Sequence, residues 1–322
     1  MIELQRDALR VSFPDVHPDA RLTISFQRTL RIPDDGVDYP LPPGLGRFPL
    51  RHVDDFADRI PERWLQHGGV MLPMYQAEAL WLNFSSDYPF AVKVATGKIN
   101  AVSGEEWREG LHRDPQDYLS VPEQPWLDGY CVGPGRIRQF VAMPLGQGYT
   151  VEEQVTGAAE HGGLQLMVHP LKADRWRDAS RWRACDGVHE FACLSAEMGL
   201  APGGTMRQQI YEDSYELADW DLRSRSRCFV HLLSAPAWTE ATGSLPPGEP
   251  PSARDYTRAG LPWFDYYGAD ARVLDAQAAL REVRSVDALK KSKGEAPLPG
   301  GASTTPSTVV DLGPTRRRVR EW

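Results

Sequence analysis

Strand-like alternation of hydrophobic and polar side chains runs through much of the chain and predicts a protein built mainly of β-strands. Residues 22–26 alternate with a period of two, and residues 29–32 continue the pattern. Such alternation is typical of strands that bury one face. Further strands are predicted later in the sequence, at residues 164–168 and 228–233.

Two β-hairpins are predicted from pairs of apolar runs joined by glycine-containing turns. In residues 89–102 the turn is Thr-Gly-Lys at 96–98, and in residues 130–143 it is Gly-Pro-Gly at 133–135. Glycine tolerates the positive φ angles that tight hairpin turns require. The two hairpins therefore belong to the same β-rich body as the isolated strands.

Apolar residues with helical spacing are fewer. Residues 53–66 predict at most one short, broken helix, and residues 174–184 predict a second. A clear amphipathic helix is predicted over residues 271–291, with apolar residues on or near one face at Val273, Ala276, Leu280, Val283 and Leu289. The predicted fold class is β-rich α+β, with a sandwich-like or distorted-barrel β body, a few short helices and one C-terminal amphipathic helix.

These patterns divide the chain into four parts. They are a β-rich half at 1–125, a second β-rich half at 126–268, the amphipathic helix at 269–293 and an extended tail at 294–322.

A short internal echo links the two β-rich halves. The motif His-Gly-Gly precedes an apolar strand at residues 67–69 and again at residues 161–163. The echo indicates either a duplicated β unit, whose two copies pack as one body, or the ordinary marking of strand starts by glycine.

Composition and charge exclude several classes of protein. The 322 residues include 36 Lys+Arg and 44 Asp+Glu, a formal charge of −8, which argues against nucleic-acid binding driven by clustered positive charge. No apolar run approaches the roughly 18 residues of a membrane-spanning helix, and the sequence starts without the features of a signal peptide. Four cysteines in a chain of this length do not indicate a disulfide scaffold. The sequence therefore predicts a soluble, cytoplasmic protein with reduced thiols.

The best constellation for chemistry is a cysteine–histidine cluster at Cys185, His189 and Cys193. Their i, i+4, i+8 spacing would place them on one helix face, and Cys228 or His231 could complete a tetrahedral zinc site. The segment 189–193 also resembles the metalloprotease signature H-E-x-x-H, but with cysteine as the second ligand. The alternative is that both thiols are ordinary core residues and that the protein needs no cofactor.

Other catalytic motifs are weak. Cys131 could be a nucleophile with His161 or His169 as its base, although its place in an apolar strand favours a buried, inert thiol. No serine has the flanking glycines of a hydrolase nucleophile elbow. The glycine pairs do not fit a dinucleotide fingerprint and more simply form turns.

Aromatic and basic residues near the end of the chain are candidates for partner binding. The cluster at 262–267 contains Trp263 and Phe264, which either cap the β core or contact a partner. The tail ends in a basic and aromatic motif with Arg316, Arg317, Arg318 and Trp322. A helix followed by an extended tail is a common arrangement in homo-oligomers, so we expect a second copy or another protein as the partner.

Several segments resemble an uncharacterised family of bacterial and fungal proteins. The segments are RQFVAMPLG at 138–146, GYTVE-x-Q-x-TG at 148–157, GGLQ at 162–165, WLDG at 126–129, MGLAPGG at 198–204 and GLPWF at 260–264. The resemblance covers roughly residues 20–268. It implies a widespread fold in which the Gly/Pro segments recur, and it carries over no catalytic residues.

Two hypotheses about function follow from these observations. The first is a soluble β-rich binding or self-assembly protein that uses its C-terminal helix and tail. The second is an enzyme of unfamiliar type, with a metal held by Cys185, His189 and Cys193. We favour the first, because features suited to interaction are ample and catalytic motifs are missing.

Overall fold

One large sheet contains most strands of the chain. The computed structural model describes residues 1–176, 197–266 and 272–312. The strands of the first part are β1 Ile2–Leu4, β2 Leu9–Ser12, β3 Arg21–Thr29, β4 Gly44–Arg47, β5 Arg51–His52, β6 Val70–Met74, β7 Ala79–Ser85, β8 Phe90–Thr96, β9 Ile99–Asn100 and β10 Leu119–Val121. The later strands are β11 Trp126–Leu127, β12 Gly129–Gly133, β13 Arg136–Pro144, β14 Leu164–Pro170, β15 Glu197–Arg207, β16 Ser226–Ser234, β17 Trp263–Asp265 and β18 Val309–Asp311.

Within the described ranges, the large sheet has sixteen strands, and most of their pairings are antiparallel. Its main path runs β1-β2-β3-β7-β13-β15-β16-β14-β8-β10, so a block of four strands from the second predicted half lies between strands of the first half. β17 and β18 form a separate two-stranded sheet. Within the described residues the main path ends at β1 and at β10 without closing into a barrel. The predicted β-rich α+β class with few short helices is confirmed.

Both predicted hairpins are present. β8 and β9 are joined at Gly97 and Lys98, which have φ angles of 53° and 60°. Two successive positive φ angles are the geometry of a type I′ turn, whose twist matches that of the flanking strands. β12 and β13 are joined across Pro134 and Gly135, where Gly135 has a φ of 67°. Local sequence therefore sufficed to identify these turns.

The helices are short. They are α1 Glu62–His67, α2 Val151–Thr156, α3 Ala235–Thr242, α4 Ala253–Arg258, α5 Ala278–Glu282 and α6 Val286–Lys293, with 3-10 turns at Asp54–Arg59 and Leu217–Asp219. Several of them contact strands in the middle of the sheet, such as α3 with β16 and α6 with β15. None of the helices in the described ranges is long and apolar enough to cross a membrane. The helix predicted at 174–184 lies almost entirely outside the described residues.

The single amphipathic helix predicted over 271–291 is wrong, because the structure has two short helices there, α5 and α6. Val283 between them has an extended backbone, with φ −63° and ψ 129°. The side-chain amide of Gln154 donates to the carbonyl of Arg284 at 3.0 Å and accepts from its N–H at 2.8 Å. Ser285 then caps α6 by accepting the N–H of Ala288 at 3.3 Å. Tertiary hydrogen bonds thus interrupt the helix that apolar spacing predicted.

The cap of α6 makes a testable contribution to stability. We expect Ser285→Ala to lower the free energy of unfolding by about 1 kcal/mol, because the buried end of α6 loses an acceptor for its first N–H groups. Urea denaturation measures the change. Ser292→Ala, at an exposed position of the same helix, is the matched control and should change stability by less than about 0.5 kcal/mol. Equal effects of the two substitutions would contradict the capping role.

The core lies between the large sheet and the segments that cover it. Its main cluster includes Phe26, Phe90, Tyr130 and Phe140, all fully buried. The C-terminal segment joins the core through Leu280 of α5, whereas Val286 of α6 and Leu298 pack in a smaller cluster with Tyr149. The described part of this segment therefore packs on the body of its own chain.

Candidate functional site

The C-terminal arm, which we define as residues 294–312, runs extended along one border of the body. Arg31 donates to the carbonyl of Pro299. Further along, the hydroxyl of Tyr39 accepts the N–H of Thr304 at 3.3 Å and lies 2.8 Å from the carboxylate of Asp35. Burial, with Asp35 adding to it, raises the pKa of Tyr39 to about 12. The phenol therefore stays neutral and holds the arm at neutral pH.

The arm ends in strand β18, which pairs in parallel with β17. The register places Val309 opposite Trp263 and Val310 opposite Phe264. Two further backbone hydrogen bonds lie at the ends of the paired segment. The N–H of Trp263 donates to the carbonyl of Thr308 at 2.9 Å, and the N–H of Leu312 donates to the carbonyl of Asp265 at 2.7 Å. The other edge of β17 exchanges bonds of 2.7 and 2.9 Å between Leu41 and Phe264. β17 therefore attaches the arm to the body.

The outer edge of β18 faces away from β17. In a strand, successive backbone groups point alternately to the two edges. Because the carbonyl of Thr308 and the N–H of Leu312 point toward β17, the N–H of Val309 points away from it. β17 is the strand with which β18 pairs within the described residues.

Exposed apolar side chains gather at the arm. Val309, Val310 and Leu312 are 45%, 40% and 46% exposed, and Val37 across the adjoining groove is 55% exposed. The groove has a volume of about 460 Å³, and Val37, Tyr39, Arg207 and Val309 are among the residues that line it. Val309 lines the groove, whereas Val310 is on the opposite face of β18, because successive side chains of a strand alternate between its two faces. Exposed apolar side chains that gather in one segment are a feature of interaction surfaces.

Two ion pairs lie beside the groove, and the carboxylate of Asp35 accepts hydrogen bonds from Tyr39 and Val37 there. Arg207 donates to both carboxylate oxygens of Asp265 at 2.9–3.1 Å, and Arg136 donates to Asp38 at 2.9 Å. These ion pairs join β15 to β17 and β13 to the segment beside β4. These ion pairs stabilise the walls of the groove. Its apolar lining residues, Val37 and Val309, remain accessible to a partner.

The predicted partner residues divide between the core and the undescribed end of the chain. Trp263 is fully buried between Tyr39 and Tyr256, with its indole N–H 3.2 Å from the hydroxyl of Thr257. The structure thus places Trp263 in the core rather than on a partner-binding surface, whereas Phe264 is half-buried beside β18. Arg316, Arg317, Arg318 and Trp322 lie outside the described residues.

The predicted metal ligands Cys185, His189 and Cys193 also lie outside the described residues. Among the residues that the structure does describe, no group of three His, Cys, Asp or Glu side chains is arranged to hold a metal ion. His231, one suggested fourth ligand, is buried and its Nε2 lies 3.1 Å from the carbonyl of Gly68. The metal site stays a prediction.

The suggested cysteine nucleophile is placed in an unreactive environment. Cys131 is buried in β12, and burial raises the pKa of its thiol to about 11, so the thiolate is scarce at neutral pH. His169 is buried in β14, where Nδ1 lies 3.2 Å from the carbonyl of Asp221. Burial therefore disfavours Cys131 as a nucleophile, and its pairing with His161 or His169 stays a prediction.

The pairing of β18 with β17 and the groove beside it were not anticipated. The local signal was present, because Val309 and Val310 are adjacent β-branched residues in an otherwise Gly-, Pro- and Ser-rich stretch. Sequence could not identify β17 as the neighbour, since 43 residues separate the two strands and no local rule pairs them.

Comparison of the chain with protein-family models, with curated proteins and with solved structures finds no match. The site is therefore interpreted from its own geometry.

Proposed function

We propose that this chain is a self-assembly protein whose copies pair through β18 of the C-terminal arm. The observation that carries the proposal is the edge strand itself: β18 exposes Val309 and Val310, the exposed Leu312 follows it, and the N–H of Val309 points away from β17. Such an edge is a template for another strand, which adds main-chain hydrogen bonds and covers apolar surface. Two β18 strands that pair antiparallel about a two-fold axis form such main-chain hydrogen bonds and cover apolar surface on both copies.

Charge supports a second copy of the same chain as the partner. Residues 313–322 contain four arginines and one glutamate, a charge of +3, and the whole chain carries −8. Residues 1–312 therefore carry −11. A basic segment that directly follows β18 is complementary to the acidic body of another copy, and this attraction weakens as salt is added.

The decisive variant is Val309→Pro. Proline removes the outward N–H at position 309 but leaves the bonds of Thr308 and Leu312 to β17 in place. We expect the wild-type chain to be dimeric by sedimentation velocity and Val309→Pro to raise the dissociation constant at least about tenfold, which is 1.4 kcal/mol. A monomeric wild-type chain at high concentration would refute the proposal.

Matched controls separate edge pairing from general hydrophobic contact. Leu245→Lys changes an apolar residue that is 86% exposed in the loop between α3 and α4, outside the arm, and we expect it to leave the dimer unchanged. Removal of residues 313–322 should weaken the dimer more at low than at high ionic strength. Loss of the dimer in Leu245→Lys with retention in Val309→Pro would assign assembly to another surface.

The alternative function, a metal-assisted enzyme using Cys185, His189 and Cys193, remains a prediction. Its three ligands lie outside the described residues. Elemental analysis of the purified chain is its test, and bound zinc in stoichiometric amount would favour it.

A further inference from the structure

The two His-Gly-Gly segments of the sequence meet at one point of strand β16. The segment at 67–69 leads into β6, which runs along one edge of β16, and the segment at 161–163 leads into β14 on the other edge. Val70 and Leu164, the first residues of these strands, are both paired with Val230. His67 and His161 are therefore placed on either side of the same part of β16.

Glycine is required for this close approach. A Cβ atom at Gly69 would lie 2.1 Å from the carbonyl oxygen of Phe229, and one at Gly163 would lie 2.5 Å from that of Val230. Both glycines also have positive φ angles, 93° and 54°. The Gly-Gly pairs thus hold the histidines that precede them in fixed positions beside β16.

Aromatic rings line the surface between the segments. The ring of His67 stacks on Phe229 with centroids 4.6 Å apart and an angle of 7° between the planes. Phe229 stacks in turn on His231 at 4.7 Å, and Trp64 covers His231 at 4.4 Å. His231 is buried, whereas His67 is exposed and Phe229 is half-buried. The outer rings of the stack are therefore accessible.

Basic side chains converge on these rings. Lys98 belongs to the β8–β9 turn, whose backbone is bound to the second His-Gly-Gly segment: the Gly97 N–H lies 3.2 Å from the Gly162 carbonyl, and the Lys98 N–H lies 2.6 Å from Oε1 of Gln165. Burial lowers the pKa of His67 and of His161, and the positive charges of Lys98 and Arg63 lower both further. Four basic groups thus lie around this surface, namely Arg63, His67, Lys98 and His161, whereas His231 is buried beneath it.

Three carboxylates lie nearby, and those of Glu152 and Glu160 oppose the lowering of the His161 pKa. Glu152 accepts the backbone N–H groups of residues 160, 161 and 162, each at 2.8 Å. Glu197 forms an ion pair with Arg63, and Glu160 is 71% exposed with its carboxylate 3.9 Å from His161. Lys98 and His67 have no such partner among the described residues. Lys98 and His67 are therefore the basic groups of this surface that are left to meet an anion.

We propose that the surface formed by His67, Lys98 and His161, with Arg63 and Phe229 at its sides, binds a small phosphate-bearing anion. A phosphate relieves the mutual repulsion of the basic groups and accepts hydrogen bonds from the lysine and from the protonated imidazoles. A ligand whose phosphate is attached to a planar ring gains further contact with the exposed rings of His67 and Phe229. This site is separate from the arm and does not depend on self-assembly.

Binding is tested by calorimetric titration of the full chain with inorganic phosphate and with phenyl phosphate. We expect both to bind, phenyl phosphate more tightly, and affinity to rise as the pH falls through the range in which His67 and His161 become protonated. Linkage requires the same binding to raise the pKa of these two histidines, which NMR of the ring signals reports directly. Unchanged histidine pKa values in saturating phosphate would overturn the proposal.

Two variants assign the site. Lys98→Gln keeps the backbone bond to Gln165 and nearly the same side-chain length, and we expect it to weaken binding about tenfold. Lys291→Gln, an exposed lysine of α6, is the matched control and should bind as the wild type does. His67→Gln should remove the preference for phenyl phosphate. Equal affinities of Lys98→Gln and the wild type would show that phosphate binds elsewhere or non-specifically.

Discussion

Replacing Arg28 with methionine is expected to lower the free energy of unfolding by about 3–5 kcal/mol, because the substitution leaves the carboxyl of Glu78 buried without its cation. Arg28 and Glu78 are 1% and 2% exposed. The guanidinium Nε donates to Oε1 of Glu78 at 2.7 Å, and Oε2 accepts the N–H of Tyr75 at 2.9 Å. Arg28 also donates to the carbonyl of Gly248, which lies in the loop covering the pair.

Two further variants show whether this loss comes from the ion pair. Arg21→Met changes an exposed arginine of the same strand, β3, and should alter stability by less than about 0.5 kcal/mol. The double variant Arg28→Met, Glu78→Leu should recover much of the loss, because replacing both partners leaves no buried charge. Urea denaturation at pH 8 measures all three. A double variant as unstable as Arg28→Met would assign the loss to packing against Phe48 instead.

Asp128→Asn is expected to make the chain more stable than the wild type above pH 7, by about 3 kcal/mol. Asp128 is 3% exposed, and burial raises the pKa of its carboxyl to about 7. The side-chain amide of Gln208 donates to its Oδ2 at 2.8 Å, and this neutral donor only partly offsets the cost of burying a charge. Asparagine has nearly the same shape and never ionises.

The dependence of the free energy of unfolding on pH follows from the raised pKa of Asp128. Between pH 4 and 7 the folded chain keeps the Asp128 proton while the unfolded chain releases it, so the folded state binds more protons. The free energy of unfolding therefore falls as pH rises through this range, and the contribution of the bound proton is lost above pH 7. Glu78, whose pKa burial also raises to about 7, adds a similar decline that the substitution leaves intact.

Denaturation of both proteins at pH 5 and at pH 8 isolates the effect of Asp128. We expect nearly equal stabilities at pH 5 and a clear advantage of Asp128→Asn at pH 8. The exposed carboxylate of Asp19 supplies the control, since Asp19→Asn should leave the wild-type pH profile unchanged. Parallel profiles of Asp128→Asn and the wild type would mean that Asp128 ionises in the folded chain as readily as in the unfolded one.

Features that depend only on residues close together in the sequence were predictable from it. The turn at Gly97 and Lys98 followed from local turn chemistry, and β14 and β16 followed from their apolar content. The helix predicted at 271–291 failed because its interruption depends on Gln154, more than a hundred residues away in sequence. Apolar spacing describes which face of a helix can be buried, but it does not report a hydrogen bond that competes with the helical one.

The candidate sites were only partly predictable for the same reason. The two His-Gly-Gly segments and the valines of the arm were visible as patterns, yet nothing in those patterns indicated that Val70 and Leu164 would both pair with Val230. For the aromatic cluster the sequence left core capping and partner contact both open, and the neighbours of Trp263 are Tyr39 and Tyr256 of its own chain. An aromatic run is compatible with either environment until the surrounding chain is placed.

By itself the sequence determined the β-rich class of the protein, its hairpins and the acidity of its body, because periodicity, turn residues and net charge are local or additive properties. Only the tertiary structure decided that Arg28 is buried with Glu78, that Lys98 joins His67 and His161, and that β18 ends as an edge strand. These depend on which distant strands become neighbours. Burial of the whole core determines which strands pair, so no short stretch of sequence specifies the pairing.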